Sequence, residues 1–254
     1  MVKSNRRGRS GQIIVVTALL IALIITSTAT YIYELSSNIG DADQYALNDL
    51  IDLIELGSKH AIVGALANIT NGGQNQTLAT NLNKWTATVG QQYWIGKFTL
   101  SYTLRDTSPY TAGLYIKWGT TGSGVSEAYV SFQLNGSSDE IEMQRSYNVN
   151  VSSSLYVEGH LIQNTPGTEQ VVVWCNLFNN GQPVLAKNLT IYYRELARWV
   201  APNATNDYVL RDYGNGTYAA IFNLETTATS LDVSAHVFDV RQILVQANTT
   251  CLQQ

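Results

Sequence analysis

The side chains able to act as acid, base, nucleophile or metal ligand are few and dispersed along the chain. Three histidines, His60, His160 and His236, are far apart in sequence. His60 falls in a stretch of helical period, and His160 and His236 occupy alternating positions among polar neighbours. An imidazole in such a setting reads more simply as solvated or locally hydrogen-bonded than as a general base, which needs a substrate proton within hydrogen-bond reach. Asp41 and Asp43 could bind a cation weakly, but carboxylates in a first helical turn are already explained by capping and the helix dipole. Asp139, Glu140 and Glu142 read as turn and strand surface, since a hydrolytic carboxylate pair needs a set separation across a pocket. No G-x-S-x-G, H-E-x-x-H, P-loop or dinucleotide fingerprint occurs. These residues point to a non-enzymatic protein with no catalytic, cofactor or metal site.

The two cysteines, Cys175 and Cys251, have no histidine spacing around them that would suit a metal. They are a candidate disulfide if the chain faces an oxidising exterior, where a long closed loop would stabilise by a few kcal/mol. Cys175 alternates with Val171, Val173 and Leu177, a core-facing pattern in which a lone buried thiol is equally at home.

Modification chemistry is better represented. Asn68, Asn75, Asn135, Asn150, Asn188, Asn203, Asn215 and Asn248 each precede Ser or Thr by two residues with no intervening Pro, the N-glycosylation acceptor pattern. The plainer reading is that short polar residues collect in turns and on outer strand faces. Only 13% of residues are charged, against roughly 25% in ordinary soluble domains, which looks extracellular. A net charge of -4 lacks the basic face that phosphate neutralisation requires and excludes a general nucleic-acid binder.

These residues need elements to hold them. From Asp43 to Asn68 the positions Leu47, Leu50, Ile51, Ile54, Ala61, Ile62, Ala65 and Leu66 recur at helical spacing. After Asn71-Gly72-Gly73, the series Leu78, Leu82, Trp85, Val89 and Tyr93 forms an amphipathic stripe, read as packing on a sheet rather than as a ligand cage. Phe98, Leu100, Tyr102 and Leu104 alternate with polar residues as a half-buried strand. Similar runs follow at 114–118, 128–134 and 141–151, an antiparallel meander. From Ser154 onward seven short alternating strands follow, at 155–162, 170–178, 189–194, 208–211, 217–224, 231–238 and 243–248, the size and rhythm of an immunoglobulin-like sandwich.

The N-terminus carries an address. Lys3, Arg6, Arg7 and Arg9 precede an uncharged run from Ser10 to Tyr33, and Glu34, Asp41 and Asp43 follow it. A hydrocarbon core of about 30 Å takes roughly 20 apolar helical residues, and the positive-inside rule then leaves the N-terminus cytoplasmic and the rest outside. The strongly apolar part, Ile13 to Ile25, is short, so a removed secretory signal ending near Thr28-Ala29-Thr30 is the alternative. Tyr31 and Tyr33, at interfacial positions, favour an anchor.

Two resemblances add to this. The basic tip, Gly11-Gln12 and the apolar helix running into an amphipathic one resemble archaeal type IV pilins and pilin-like proteins with a class III signal. The resemblance implies cleavage between Gly11 and Gln12 and a retained helix in a filament core or membrane. Ser10 replaces the usual charged residue, Val16 stands where a bacterial-type Glu would be, and Asn38-Ile39-Gly40 could interrupt the helix. Farther on, Asn180-Gly181-Gln182-Pro183-Val184 and Asp212-Tyr213-Gly214-Asn215-Gly216-Thr217-Tyr218, leading into Phe222, resemble Ig-like repeats of prokaryotic surface proteins, although no second Cys sits on the sixth strand.

The expectation is therefore an α+β protein. It comprises a basic cytoplasmic tip (1–11), a transmembrane or pilin-like helix (12–35), amphipathic helices (39–95), an antiparallel β-sheet packed on them (97–151) and a C-terminal Ig-like β-sandwich (154–254). The expected role is that of a single-pass, cell-membrane-anchored, outward-facing protein, structural, filament-forming or adhesive. Membrane lipid, other copies of itself and cell-surface proteins are its expected partners. The alternative is an anchored Ig-like module that recognises a surface partner or glycan without forming filaments.

Overall fold

A computed structural model describes residues 26–27, 42–92, 97–137 and 142–254. The Gly11-Gln12 junction, nearly all of the expected span at 12–35, Asp41, Tyr93, Asp139 and Glu140 lie outside the described residues.

The helical period is realised as α1 (Ala42–Thr70) and α2 (Thr77–Gln92). The chain divides into two compact units at Glu55/Leu56, inside α1. In the first unit Leu50, Ile51 and Ile54 are buried; in the second, Ile62, Ala65, Leu66 and Ile69 continue the stripe. The polar residue of the stripe is Ser58, fully buried, whose hydroxyl receives Trp85 Nε1 at 3.0 Å and lies 2.8 Å from Tyr147 Oη. Trp85 is thus a packing residue between α1 and α2. The helix stops where Gly72, at φ +93°, lets the Gly73 amide return to Asn68 O at 3.0 Å.

The single-pass anchor is corrected here. α1 has the length of a span, but Asp43, Asp49, Asp52, Glu55 and Lys59 are distributed along it, each too costly at bilayer depth. Among the described residues no helix is long and apolar enough to cross a membrane.

The strands are β1 (Lys97–Leu104), β2 (Leu114–Trp118), β3 (Ser123–Ser137), β4 (Glu142–Thr165), β5 (Thr168–Asn179), β6 (Gln182–Pro183), β7 (Ala186–Glu195), β8 (Arg198–Val200), β9 (Val209–Asp212), β10 (Thr217–Glu225), β11 (Ser230–Asp239) and β12 (Leu244–Gln253). They form one hydrogen-bonded sheet whose main path is β8-β7-β11-β12-β4-β5-β10-β9. β1 and β2 lie end to end along β3, which pairs with β4 on its other side, and β6 pairs with β5. All pairings are antiparallel except β12 with β4, where Leu252 meets His160 in parallel register.

The expected α+β arrangement, with a transmembrane or pilin-like helix, a separate meander and a free-standing Ig-like sandwich, is corrected to this mostly-β, mixed, curled sheet. β4 is the reason. Its 24 residues run unbroken through the boundary expected at 151–154, pairing with β3 up to Tyr156 and with β5 from Ser153 onward. The β2–β3 turn ties the same regions: Gly122 N–H donates to Asn248 O at 2.8 Å, and Gly122 O accepts Val157 N–H at 2.7 Å. Only glycine fits there, because φ is +77° and a Cβ would overlap Val157 O.

The sheet closes over its own core. β7 and β10 stand five strands apart along the path, roughly 24 Å if it were flat. Tyr193 of β7 nevertheless lies 5.6 Å, centroid to centroid, from Phe222 of β10. Leu155, Val157, Leu161, Val171, Val173, Cys175, Val233, Val237 and Val245 fill the same interior. Burying such aliphatic side chains is worth about 1.5–3 kcal/mol each.

Candidate functional site: the outer face of β1, β3 and β4

Strand alternation assigns the two faces of the β1–β3–β4 region. Ala128, Val130, Phe132 and Leu134 of β3 point inward and are buried. Tyr102 on the same side donates to Asn83 Oδ1 of α2 at 2.8 Å. The opposite face presents rows of short neutral polar side chains: Thr103, Ser131 and Asn148; Ser101, Gln133 and Ser146; Thr99, Asn135 and Gln144. Shallow grooves run over it, one of about 250 Å³ between Ser101, Ser131 and Asn148 and one of about 630 Å³ over Thr99, Asn135 and Gln144, with the charged Lys97 and Glu142 at its far end. Hydroxyls and amides of this kind offer both donors and acceptors without charge.

An aromatic corner closes one end of the rows. β1 and β2 are joined by the loop at 105–113, pinched shut where Gly113 N–H donates to Arg105 O at 2.7 Å and Tyr129 N–H to Gly113 O at 2.8 Å. Tyr110 on this loop lies 6.1 Å from the Tyr115 ring and 5.9 Å from the Tyr129 ring. The Arg105 guanidinium carbon stands 4.8 Å from the ring centres of both Tyr110 and Tyr129, an arrangement stabilised by the ring quadrupoles. Tyr110 Oη donates to Glu127 Oε1. Burial first, and then this bond and the Glu127 charge, push the Tyr110 phenol up to about 12 against the pull of Arg105.

The sequence-derived candidates are not gathered here. His60 is exposed on α1. His160 Nδ1 is 3.0 Å from Gln254 Nε2. His236 Nε2 is 3.0 Å from Ser234 Oγ beside the Tyr192 ring, where burial lowers its pKa. Glu142 is exposed at the start of β4. Among the described residues no three His, Cys, Asp or Glu side chains are grouped to hold a metal ion. Cys175 and Cys251 are both buried free thiols in the curled core.

The sequon asparagines are placed more informatively. Asn68, Asn75, Asn135, Asn150, Asn188, Asn203 and Asn215 are exposed, and Asn248 is half-buried. Asn135 and Asn150 stand on the polar outer face itself, Asn150 opposite Tyr129. The sequence period assigns no element to 105–113, and the corner is not visible from it. The available signal was Tyr115 and Tyr129, large rings at positions whose strand neighbours mark the wet face. No protein-family model matches the chain, and no curated protein matches it.

Proposed function

We propose that this is a non-enzymatic adhesion protein that acts through the outer face of β1, β3 and β4, with neutral carbohydrate as its ligand class. The observation that supports this most is the Arg105–Tyr110–Tyr129 corner beside uncharged rows of hydroxyl and amide side chains. Flat rings provide apolar stacking area while the Tyr110 hydroxyl stays hydrogen-bonded to Glu127, and the neutral rows provide hydrogen bonds without selecting an ionic ligand. The test is unglycosylated recombinant protein on an array of neutral polysaccharides, with Tyr110→Ala and Tyr129→Ala as variants. Binding that falls about tenfold or more in each variant is expected, the scale of a lost ring contact with its hydrogen bond. Absence of binding, or binding indifferent to both variants, overturns the reading. Because Asn135 and Asn150 share the face, glycans attached there should weaken binding, and enzymatic removal should restore it.

A filament role of the pilin-like kind is the second reading. It is favoured by the order of elements, an apolar N-terminal sequence, then α1 and α2, then the sheet. Native protein beginning at Gln12, together with filaments seen by negative-stain microscopy, would support it; a native terminus at Met1 would remove it.

A further inference from the structure

The other broad sheet face, formed by the second half of β4 with β5, β10 and β9, has a different character. Core-facing Val157, Val173, Cys175, Ala220 and Phe222 point into the interior, so their strand neighbours point out. Two outward rows cross the four strands: Glu158, Trp174, Ala219 and Arg211, then His160, Val172, Ile221 and Val209. Ala219 is covered and His160, Val172, Trp174 and Ile221 are half-buried, so the open positions are at the row ends. Tyr156, Ile162, Val209 and Tyr213 are 52%, 43%, 46% and 50% exposed, and Trp174 stacks on Tyr213 at 5.5 Å. Large apolar groups left open together on one sheet face mark an interaction surface.

Two observations identify the occupant. The first is the order of charges: Glu158 lies at the β4 end of its row and Arg211 at the β9 end, three strand spacings or roughly 14 Å apart. A two-fold axis between two such faces, parallel to the strands, reverses strand order and keeps each row in place. Glu158 of one copy then faces Arg211 of the other, twice over, and Val172 faces Ile221. That is the self-complementarity an isologous interface demands. The second is the distribution of sequons. Asn135 and Asn150 stand on the β3–β4 outer face, and Asn188 and Asn248 on β7 and β12, whereas these rows contain none. Asn215 lies beyond one end of them, in the β9–β10 turn, and Asn203 beyond the other, in the loop before β9.

We propose that a second copy of this chain docks here, face to face, as a symmetric dimer; this is independent of the carbohydrate reading. Four strands and two complete rows cover about 250 Å² per copy, so the pair buries about 500 Å², below the range of stable specific interfaces. The dimer is accordingly weak and concentration-dependent.

Sedimentation velocity of the full-length chain, from about 1 μM to 1 mM, tests it. The wild type should pass from monomer to dimer, and Glu158→Arg or Arg211→Glu alone should weaken association about tenfold or more through like-charge contact. The double variant should dimerise again, and so should an equimolar mixture of the two single variants, which pairs each new charge with its opposite. Far-ultraviolet circular dichroism checks that each variant is folded, and the mixture keeps the test decisive because rescue requires both partners folded. A wild type that stays monomeric, association insensitive to either reversal, or failure of both rescues overturns the proposal.

Discussion

Arg241 closes over Asp239 in the β11–β12 turn: Arg241 Nε donates to Asp239 Oδ2 at 2.8 Å, and the Arg241 and Ile243 amides donate to Oδ1 at 2.8 and 3.0 Å. The Asp239 side chain is fully buried, and Arg241 Nη2 continues to Ser152 O on β4 at 2.7 Å. Removing one partner of a buried, hydrogen-bonded ion pair strands the other. Arg241→Ala should cost about 3–5 kcal/mol in urea unfolding, with Asp239→Ala similar because two amides lose their acceptor. A loss under about 1 kcal/mol in both would show that the turn rearranges around water.

Gly159 of β4 leaves the space that Cys251 Sγ of β12 occupies, and a Cβ at that position would overlap the sulfur. Gly159→Ala should therefore destabilise by about 1–3 kcal/mol through overpacking. Cys251→Ala removes the sulfur, so the double variant should recover a good part of that loss. Simple addition of the two single effects in a double-mutant cycle would contradict the contact.

Burial pushes the Cys175 thiol up to about 12, and burial with a smaller contribution from Asp232 pushes Cys251 up to about 12 as well. Thiolate is the reactive form, so neither residue should react with a thiol reagent at pH 8 in the native chain, and both should react once it is unfolded. The folded state holds these protons more tightly than the unfolded chain. The linked stability is therefore complete below pH 9 and declines as pH rises from 9 towards 12. Fast native labelling of either cysteine at pH 8 would refute the packing.

Asn248 is the half-buried sequon, and its backbone is held by the β2–β3 turn through Gly119 O at 2.9 Å and Gly122 N at 2.8 Å. If the chain is glycosylated, occupancy measured by glycopeptide mass spectrometry should be lowest at Asn248, because a bulky glycan needs open surface. Occupancy there equal to that at Asn135 or Asn150 would argue against the turn's position.

The sequence by itself determined the local elements. Leu78, Leu82 and Val89 at helical spacing lie on α2, and the alternation of Phe98 with Leu100 and of Val171 with Val173 lies on β1 and β5, because period follows directly from backbone geometry. β6 and β8, of two and three residues, carry too few positions to show any period. What the tertiary structure decided was long-range: that β4 continues past residue 154, that β12 joins it in parallel register, and that Tyr193 and Phe222 meet across the curl. Alternation reports which way a side chain points but not which strand lies beside it. The Arg105–Tyr110–Tyr129 corner and the row from Glu158 to Arg211 come from segments up to 53 residues apart, and only strand pairing brings them onto one face.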